Sequence, residues 1–474
     1  MDNANRCAPK ALAAQEQADP HTREIPEAAT AHDMCLPRHK PIRLEQLQIP
    51  SPKRNRKFLS GWEGFFPYYA GYPEAFAHEV LRSAQLPPGA VVLDPWNGSG
   101  TTTLVASRLG LTAHGLDLNP VMVVVARARL LPPSEASHLK PLAATIVPVN
   151  KLSPPLVEND PLLDWFEPEM AAMVRAIERN IGFTLLGENA VAPDTVRLDQ
   201  ISGTTATLYV ALFAACRRMV RQFMSSNPTW LRRPHVGEAK VTGDASRISS
   251  LFQENVTAMA NALTAIRLPN EVPSNRINPQ VLSADSASFS LPRQSVDFIL
   301  TSPPYCTRID YTAATRIELA VLDPLVSLKS HELKRKMIGS TQVPIHKPEP
   351  RSDWGPTCLG FLERLRSHRS KASATYYYVT HLDYFDKLVS SIANLASTLR
   401  PAGAAVFVVQ DSHYKEIHND LPTIVTELTA AKGLVLARRD NFQFKRSMAG
   451  IHPHSRAYGR PAGGVEAVLC FHRE

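Results

Sequence analysis

Ala90-Val91-Val92-Leu93-Asp94-Pro95-Trp96-Asn97-Gly98-Ser99-Gly100-Thr101-Thr102-Thr103-Leu104-Val105-Ala106 decides the fold. It holds an apolar run, a glycine-rich turn and the start of a helix in direct succession. The run has the length of a buried strand. The glycines let the backbone come close to a ligand, and the helix start offers free N–H groups. Thr112-Ala113-His114-Gly115-Leu116 reads as a second strand, ending at Asp117. A carboxylate there can accept hydrogen bonds from both hydroxyls of a ribose. This succession opens a doubly wound α/β sheet. The third glycine of a dinucleotide-binding G-x-G-x-x-G is replaced by Thr103, and no Lys follows the glycines as in a P-loop.

Further along, Val296-Asp297-Phe298-Ile299-Leu300 reads as another buried strand, followed by Thr301-Ser302-Pro303-Pro304-Tyr305. Two prolines fix φ twice and remove two donors, which leaves rigid acceptors. Tyr305 adds an aromatic face. Rigid acceptors beside a stacking ring suit a flipped-out base that carries an exocyclic amine. Taken singly, each feature has a plainer meaning. Glycine turns occur in many α/β domains, Pro-Pro-Tyr is usually a loop or a polyproline ligand, and Asp117 or Asp285 would be a helix cap or a loop acid.

Together the motifs resemble the DNA amino-methyltransferases of the N4-cytosine and N6-adenine group, which use S-adenosylmethionine. Asp94, Pro95, Trp96, Gly98, Gly100 and Thr101 match that group's cofactor motif, with Trp96 where Phe is more usual. Ser302, Pro303, Pro304 and Tyr305 match its catalytic motif. Asp117 matches the ribose-binding acid, and Asp285 the acid near the cofactor's adenine. Phe65-Phe66-Pro67-Tyr68-Tyr69 is more loosely similar to the segment that closes over the methionine end. The resemblance runs through residues 60–474 with a long insertion. It implies a Rossmann-like seven-stranded methyltransferase sheet with a terminal antiparallel hairpin, plus a mostly α-helical insertion. It implies S-adenosylmethionine as cofactor, DNA as partner, and a cognate restriction or defence system.

Composition is compatible with this. The chain has 474 residues, 44% of them hydrophobic, and a formal net charge of +8, the sign that suits a polyanion. Six cysteines lie scattered, with no C-x-x-C pair, so neither a disulfide framework nor a zinc site is expected. No signal peptide or spanning segment is evident, which predicts a soluble cytoplasmic protein without membrane contact.

Four regions are expected. Residues 1–57 read as disordered. Residues 58–131 form the first part of the core, with helices around 74–82 and 119–130. Residues 132–275 form the insertion, a candidate for target recognition. It begins with a Pro-rich linker over 132–157 and continues with helical spacing through Trp165, Met170, Ile177, Leu208, Leu212, Leu251, Val256 and Met259. Residues 276–474 complete the core.

Two basic stretches stand out. Ser226 to Arg233 is a helix stop with a surface cluster, or a DNA-contacting loop with Arg232 and Arg233 on phosphates. Lys329 to Lys371 holds ten Lys/Arg against four Asp/Glu and little periodicity; it is a phosphate-contacting loop, or a solvated loop with a charged helix at 361–369.

The resemblance also implies a mechanism. An exocyclic amine is a poor nucleophile because its lone pair is delocalised into the ring. The Ser302 hydroxyl and the Pro303 carbonyl can take its two N–H bonds and drive the nitrogen towards tetrahedral geometry. Tyr305 would stack on the base. No thiolate is required, and Cys306 is read as a small buried residue. Serine at the first motif position leans towards N4-cytosine, with N6-adenine as the alternative. An RNA amino-methyltransferase and an inactive nucleic-acid-binding fold stay open.

Overall fold

A computed structural model describes residues 41–54, 64–66, 71–148, 156–186, 198–225, 230–266, 279–306, 310–326, 330–444 and 463–474. The N-terminal segment, the Pro67–Tyr69 part of the aromatic stretch, Ser226–Thr229 and the basic connection at 445–462 lie outside them.

The strands are β1 (Val91–Asp94), β2 (Thr112–Asp117), β3 (Gln280–Ser283), β4 (Val296–Thr301), β5 (Leu399–Gln410), β6 (Ser412–Tyr414), β7 (Ile417–Asn419), β8 (Leu434–Phe444) and β9 (Gly464–Arg473). Seven of them make one sheet in the order β3-β2-β1-β4-β5-β9-β8. β1 to β5 run parallel, and β9 is antiparallel to both β5 and β8. This is the expected Rossmann-like sheet with its terminal hairpin. β6 and β7 form a separate small hairpin.

The helices are α1 (Glu74–Ser83), α2 (Thr101–Arg108), α3 (Pro120–Arg129), α4 (Ala136–Ile146), α5 (Pro168–Leu186), α6 (Gly203–Met219), α7 (Ser246–Thr264), α8 (Tyr311–Ala314), α9 (Arg316–Leu322), α10 (Ser330–Lys336), α11 (Pro356–Arg366), α12 (Tyr378–Thr398) and α13 (Leu421–Ala430). Side chains alternate across β4, as strand geometry demands. Phe298 and Leu300 face a core shared with α1 through Phe76 and Val80. Ile299 faces the opposite core, filled by Phe385, Leu388, Ile392 and Leu395 of α12, and Val296 joins that core because the register shifts between Val296 and Phe298. A sheet covered on both faces explains why its central strands read as unbroken apolar runs.

Caps fix where helices begin. The Asn119 side chain accepts from the Val121 amide with Pro120 at the first position, and Ser202 and Asp420 cap α6 and α13 in the same way.

The insertion is mostly helical, as expected. Its helices share one core with α3 and α9: Trp165, Ile177, Leu212 and Val256 pack with Val121, Val125, Ile317 and Val321. Two expectations need correction. The Pro-rich stretch after Leu131 is not all linker, because α4 occupies Ala136–Ile146. Ala136, Leu139, Ala143 and Ile146 form a buried stripe, and Pro141 is exposed on the other side. Burial of the stripe outweighs the hydrogen bond that Pro141 removes. The basic region between 329 and 371 is also more regular than expected. It contains α10 and α11, and Cys358, Phe361, Leu362 and Leu365 of α11 are buried.

Candidate active site

The parallel strands end together because of their register. Leu93 lies opposite Ile299 and His114, and Thr301 opposite Phe407. The strand order reverses between β1 and β4, and crevices at such switch points are where α/β sheets bind ligands. A cleft opens there. Asp94, Pro95, Trp96, Gly98, Thr101, Asp117, Asp285, Ser302, Pro303, Pro304 and Tyr305 all line it. Gly100 stands just behind the lining. Its φ is +81°, and a Cβ there would lie 2.7 Å from the Ala126 Cβ, so glycine lets α2 start against α3.

Asp94 has its oxygens engaged within the protein. They accept from Thr102 Oγ1 and Thr301 Oγ1, each at 2.6 Å, and from the Trp96 amide at 3.2 Å. The residue therefore ties β1 to β4 and α2. Burial pushes its carboxyl up to about 6. Tyr72 closes the knot, with its hydroxyl 2.6 Å from Thr102 Oγ1 and donating to the Leu300 carbonyl at 3.1 Å.

Asp117 takes one N–H on each oxygen, from Gly98 at 2.9 Å and Asn119 at 2.8 Å. Deep in the cleft, its carboxyl is pushed up to about 7 by burial, which those N–H groups offset in part. A carboxylate so raised is short of donors, and a ribose diol supplies two. Tyr72, Trp96, Tyr305 and Tyr311 give the cleft aromatic walls, which suit a sulfonium cation. The lining is thus compatible with a methyl donor such as S-adenosylmethionine, with the expected ribose acid Asp117, the Gly98–Gly100 turn and the expected adenine-side acid Asp285 gathered around one cleft. The Asp285 Oδ1 accepts from the Ala287 amide at 2.9 Å, which fixes the turn after β3.

The Ser302–Tyr305 turn, the expected catalytic motif, is held from four sides. The Ser302 hydroxyl donates to the Val408 carbonyl of β5 at 3.0 Å. The Tyr384 hydroxyl of α12 donates to the Pro304 carbonyl at 2.8 Å. The Tyr305 amide donates to the Tyr311 hydroxyl at 3.3 Å, and the Tyr305 hydroxyl donates to Glu466 Oε1 of β9 at 2.9 Å. Burial, and then the Glu466 charge, raise the Tyr305 phenol well above its ordinary value, so it stays a neutral donor. No hydrogen bond from the described residues reaches the Pro303 carbonyl. Cys306 is buried, which pushes its thiol up to about 12 and keeps it inert.

Several of these residues were not singled out in the sequence. Arg129 is buried at the end of α3 and donates to the Ser99 carbonyl at 2.8 Å, to Ser99 Oγ at 3.0 Å and to Thr101 Oγ1 at 3.2 Å. Its other amine pairs with Glu74 at 2.6 Å. It clamps the glycine turn from outside the cleft. Arg54, Tyr72, Tyr311 and Lys336 line the cleft from distant segments. For Arg129 the available signal was a pair of arginines, Arg127 and Arg129, closing an otherwise apolar helix. Of the aromatic stretch, Phe66 is buried in the insertion core under the Arg217 guanidinium, 5.4 Å from its ring centre. Among the candidate DNA-contacting cations, Arg232 is paired with Glu238 at 2.6 Å and Arg233 with Asp164 at 2.8 Å.

Comparison with known proteins agrees with this geometry. Residues 38–127 match the family model described as DNA methylase, of the N6/N4 group. The chain is also 22% identical over 347 residues to the Type II methyltransferase M.BsoBI of Geobacillus stearothermophilus. That alignment covers 66% of this chain and 64% of the relative, so the chain matches just under two thirds of that protein's length. Both matches support the resemblance to the N4/N6 amino-methyltransferases.

Proposed function

We propose that this protein is a DNA methyltransferase that acts on the N4 amine of a flipped cytosine, with S-adenosylmethionine as donor. One observation carries the reading. The Ser302 hydroxyl spends its hydrogen on the Val408 carbonyl, so only lone pairs face the cleft. The Pro303 carbonyl beside it is a second acceptor with no donor among the described residues. Two fixed acceptors fit a group with two N–H bonds, which is an exocyclic amine.

When bound, S-adenosylmethionine supplies an electrophilic methyl group on a sulfonium. The protein's own part is positional. Ser302 and Pro303 hold the amine hydrogens and turn the nitrogen lone pair towards the cofactor side of the cleft. Because Val408 fixes the Ser302 hydroxyl and Tyr384 anchors the turn through the Pro304 carbonyl, these groups need not reorganise during the reaction. Tyr305, held by Glu466 and Tyr311, offers a ring against the base and offsets part of the unstacking cost. The same geometry serves adenine N6, whose amine carries the same two hydrogens.

The test is methyl transfer from labelled S-adenosylmethionine to unmethylated genomic DNA, with the product nucleosides identified by mass spectrometry. N4-methylcytosine is the expected product. N6-methyladenine would keep the mechanism and move the base. A protein that binds cofactor and leaves DNA unlabelled would overturn the reading.

A further inference from the structure

The loop Thr341-Gln342-Val343-Pro344-Ile345-His346-Lys347-Pro348 carries an apolar tip that none of the described residues covers. Ile345 is 89% exposed and Val343 50%. Pro344 between them is buried, which points its neighbours outward. Two prolines fix φ in the loop and restrict the residues before them, so the tip is stiff. It cannot fold back to hide its aliphatic groups, and their contact with water is a standing cost.

The loop is rooted beside the cleft. Met337 and Ile338 line it. Gly339 has φ +80°, and a Cβ there would sit 3.7 Å from the Tyr305 carbonyl oxygen. The Tyr376 hydroxyl donates to the Thr341 carbonyl at 2.6 Å, and the Gln342 amide to Ser340 Oγ at 3.2 Å. On the far side, the Lys347 ammonium stands 5.0 Å from the centre of the Tyr378 ring. Ile345 is four residues beyond the pinned Thr341, a reach of at most roughly 14 Å.

Charge identifies the occupant. From Glu332 to Glu349 the chain has Lys334, Arg335, Lys336, His346 and Lys347, with acids only at the two ends. Lys334 and Arg335 pair with Asp310 and Asp383, while Lys336 lines the cleft. A stiff aliphatic tip flanked by basic groups suits a polyanion with an apolar interior, which describes the base stack of duplex DNA. Proteins that deform duplexes insert Ile, Leu, Met or Pro between base steps in this way.

We infer that loop 341–348 is a wedge, and that Ile345 enters the duplex to fill the space left by the flipped base. This rests on the DNA methylation reading above. The test compares Ile345→Ser and Ile345→Leu with wild type, by single-turnover methylation of duplex DNA and of the same DNA heat-denatured. Ile345→Ser is expected to slow the duplex reaction by about 10- to 100-fold, the scale of a few kcal/mol of unstacking that loses its compensation. Ile345→Leu restores it, and cofactor affinity stays at the wild-type value in both. Ile345→Ser working on duplex DNA within about twofold of wild type, a scale well inside one factor of ten, overturns the wedge. So does failure of Ile345→Leu to rescue, or an equal loss on denatured DNA, which needs no wedge. A wild-type protein that labels no DNA removes the methylation reading and the wedge with it, an outcome distinct from a wedge variant that is active.

Discussion

Ser302→Ala separates a positioned acceptor from a structural residue. The substitution removes the oxygen that would hold one amine hydrogen, and it also strips the Val408 carbonyl of the donor it has at 3.0 Å. The two losses appear in different measurements. A pre-placed hydrogen-bonding partner of a transition state is typically worth about 10²–10³ in rate. A neutral acceptor belongs at the lower end, so the methyl-transfer rate should fall about 100-fold, equivalent to about 2.7 kcal/mol. The Val408 carbonyl lies near the cleft end of β5, on a residue that is 1% exposed. Losing its donor should cost about 1 kcal/mol of stability, and in a chain this long the melting temperature should drop by about 3 °C or less. The assay is a single-turnover rate with enzyme in excess and labelled cofactor saturating, alongside the cofactor dissociation constant from calorimetry. The dissociation constant should stay within about twofold of wild type, because the proposed cofactor contacts lie at the ends of β1, β2 and β3, and twofold is small against a tenfold step of about 1.4 kcal/mol. A rate within about threefold of wild type, under 1 kcal/mol of barrier, would refute the acceptor role. A rate loss accounted for by weaker cofactor binding would move Ser302 to the cofactor side.

Two further predictions concern cofactor binding and the insertion. The Asp117 carboxyl is raised from 3.8 to about 7, so its ionised form is disfavoured in the cofactor-free fold. Its contribution to stability therefore falls as pH rises from about 4 to about 7. Ribose hydroxyls favour the ionised form, so cofactor affinity should rise with pH up to about 7 and then level, with proton release below that; calorimetry in buffers of different ionisation enthalpy reads this, and a flat affinity across the range would count against the Asp117 contact. Arg175 is buried and binds Asp160 at 2.6 and 3.0 Å while donating to the Val321 and Ala320 carbonyls at the end of α9. Arg175→Ala leaves Asp160 buried and unpaired, which should cost about 3–5 kcal/mol in denaturant unfolding, and an unchanged unfolding midpoint would show that this pair does not fasten the insertion to α9.

Local features were legible because they are encoded within a few residues. The apolar run ending at Asp94, the glycine turn and the start of α2 form one contiguous signal. So do the β4 run and the Ser302–Tyr305 turn. The period of the insertion helices showed because each buries a stripe. The same local reasoning misjudged α4, since a Pro on an exposed face weakens a helix without preventing it. It also started the helix of the basic region at 361, although α11 begins at Pro356 and is held in place by the buried Cys358, Phe361, Leu362 and Leu365.

The sequence by itself determined the sheet type and the two motif turns, along with an acid at the end of β2. Backbone conformation and burial period are local properties, and these features follow from them. The tertiary structure decided what each group does. It turned the Asp94 oxygens inward to Thr102 and Thr301, clamped the glycine turn with Arg129, and gave the Ser302 hydrogen to Val408 and the Tyr305 phenol to Glu466. Apart from Thr102, which lies eight residues beyond Asp94, each partner comes from a segment distant in the chain. Hydrogen bonds across a sheet depend on strand order and register, which the packing of the whole core selects and no local stretch specifies.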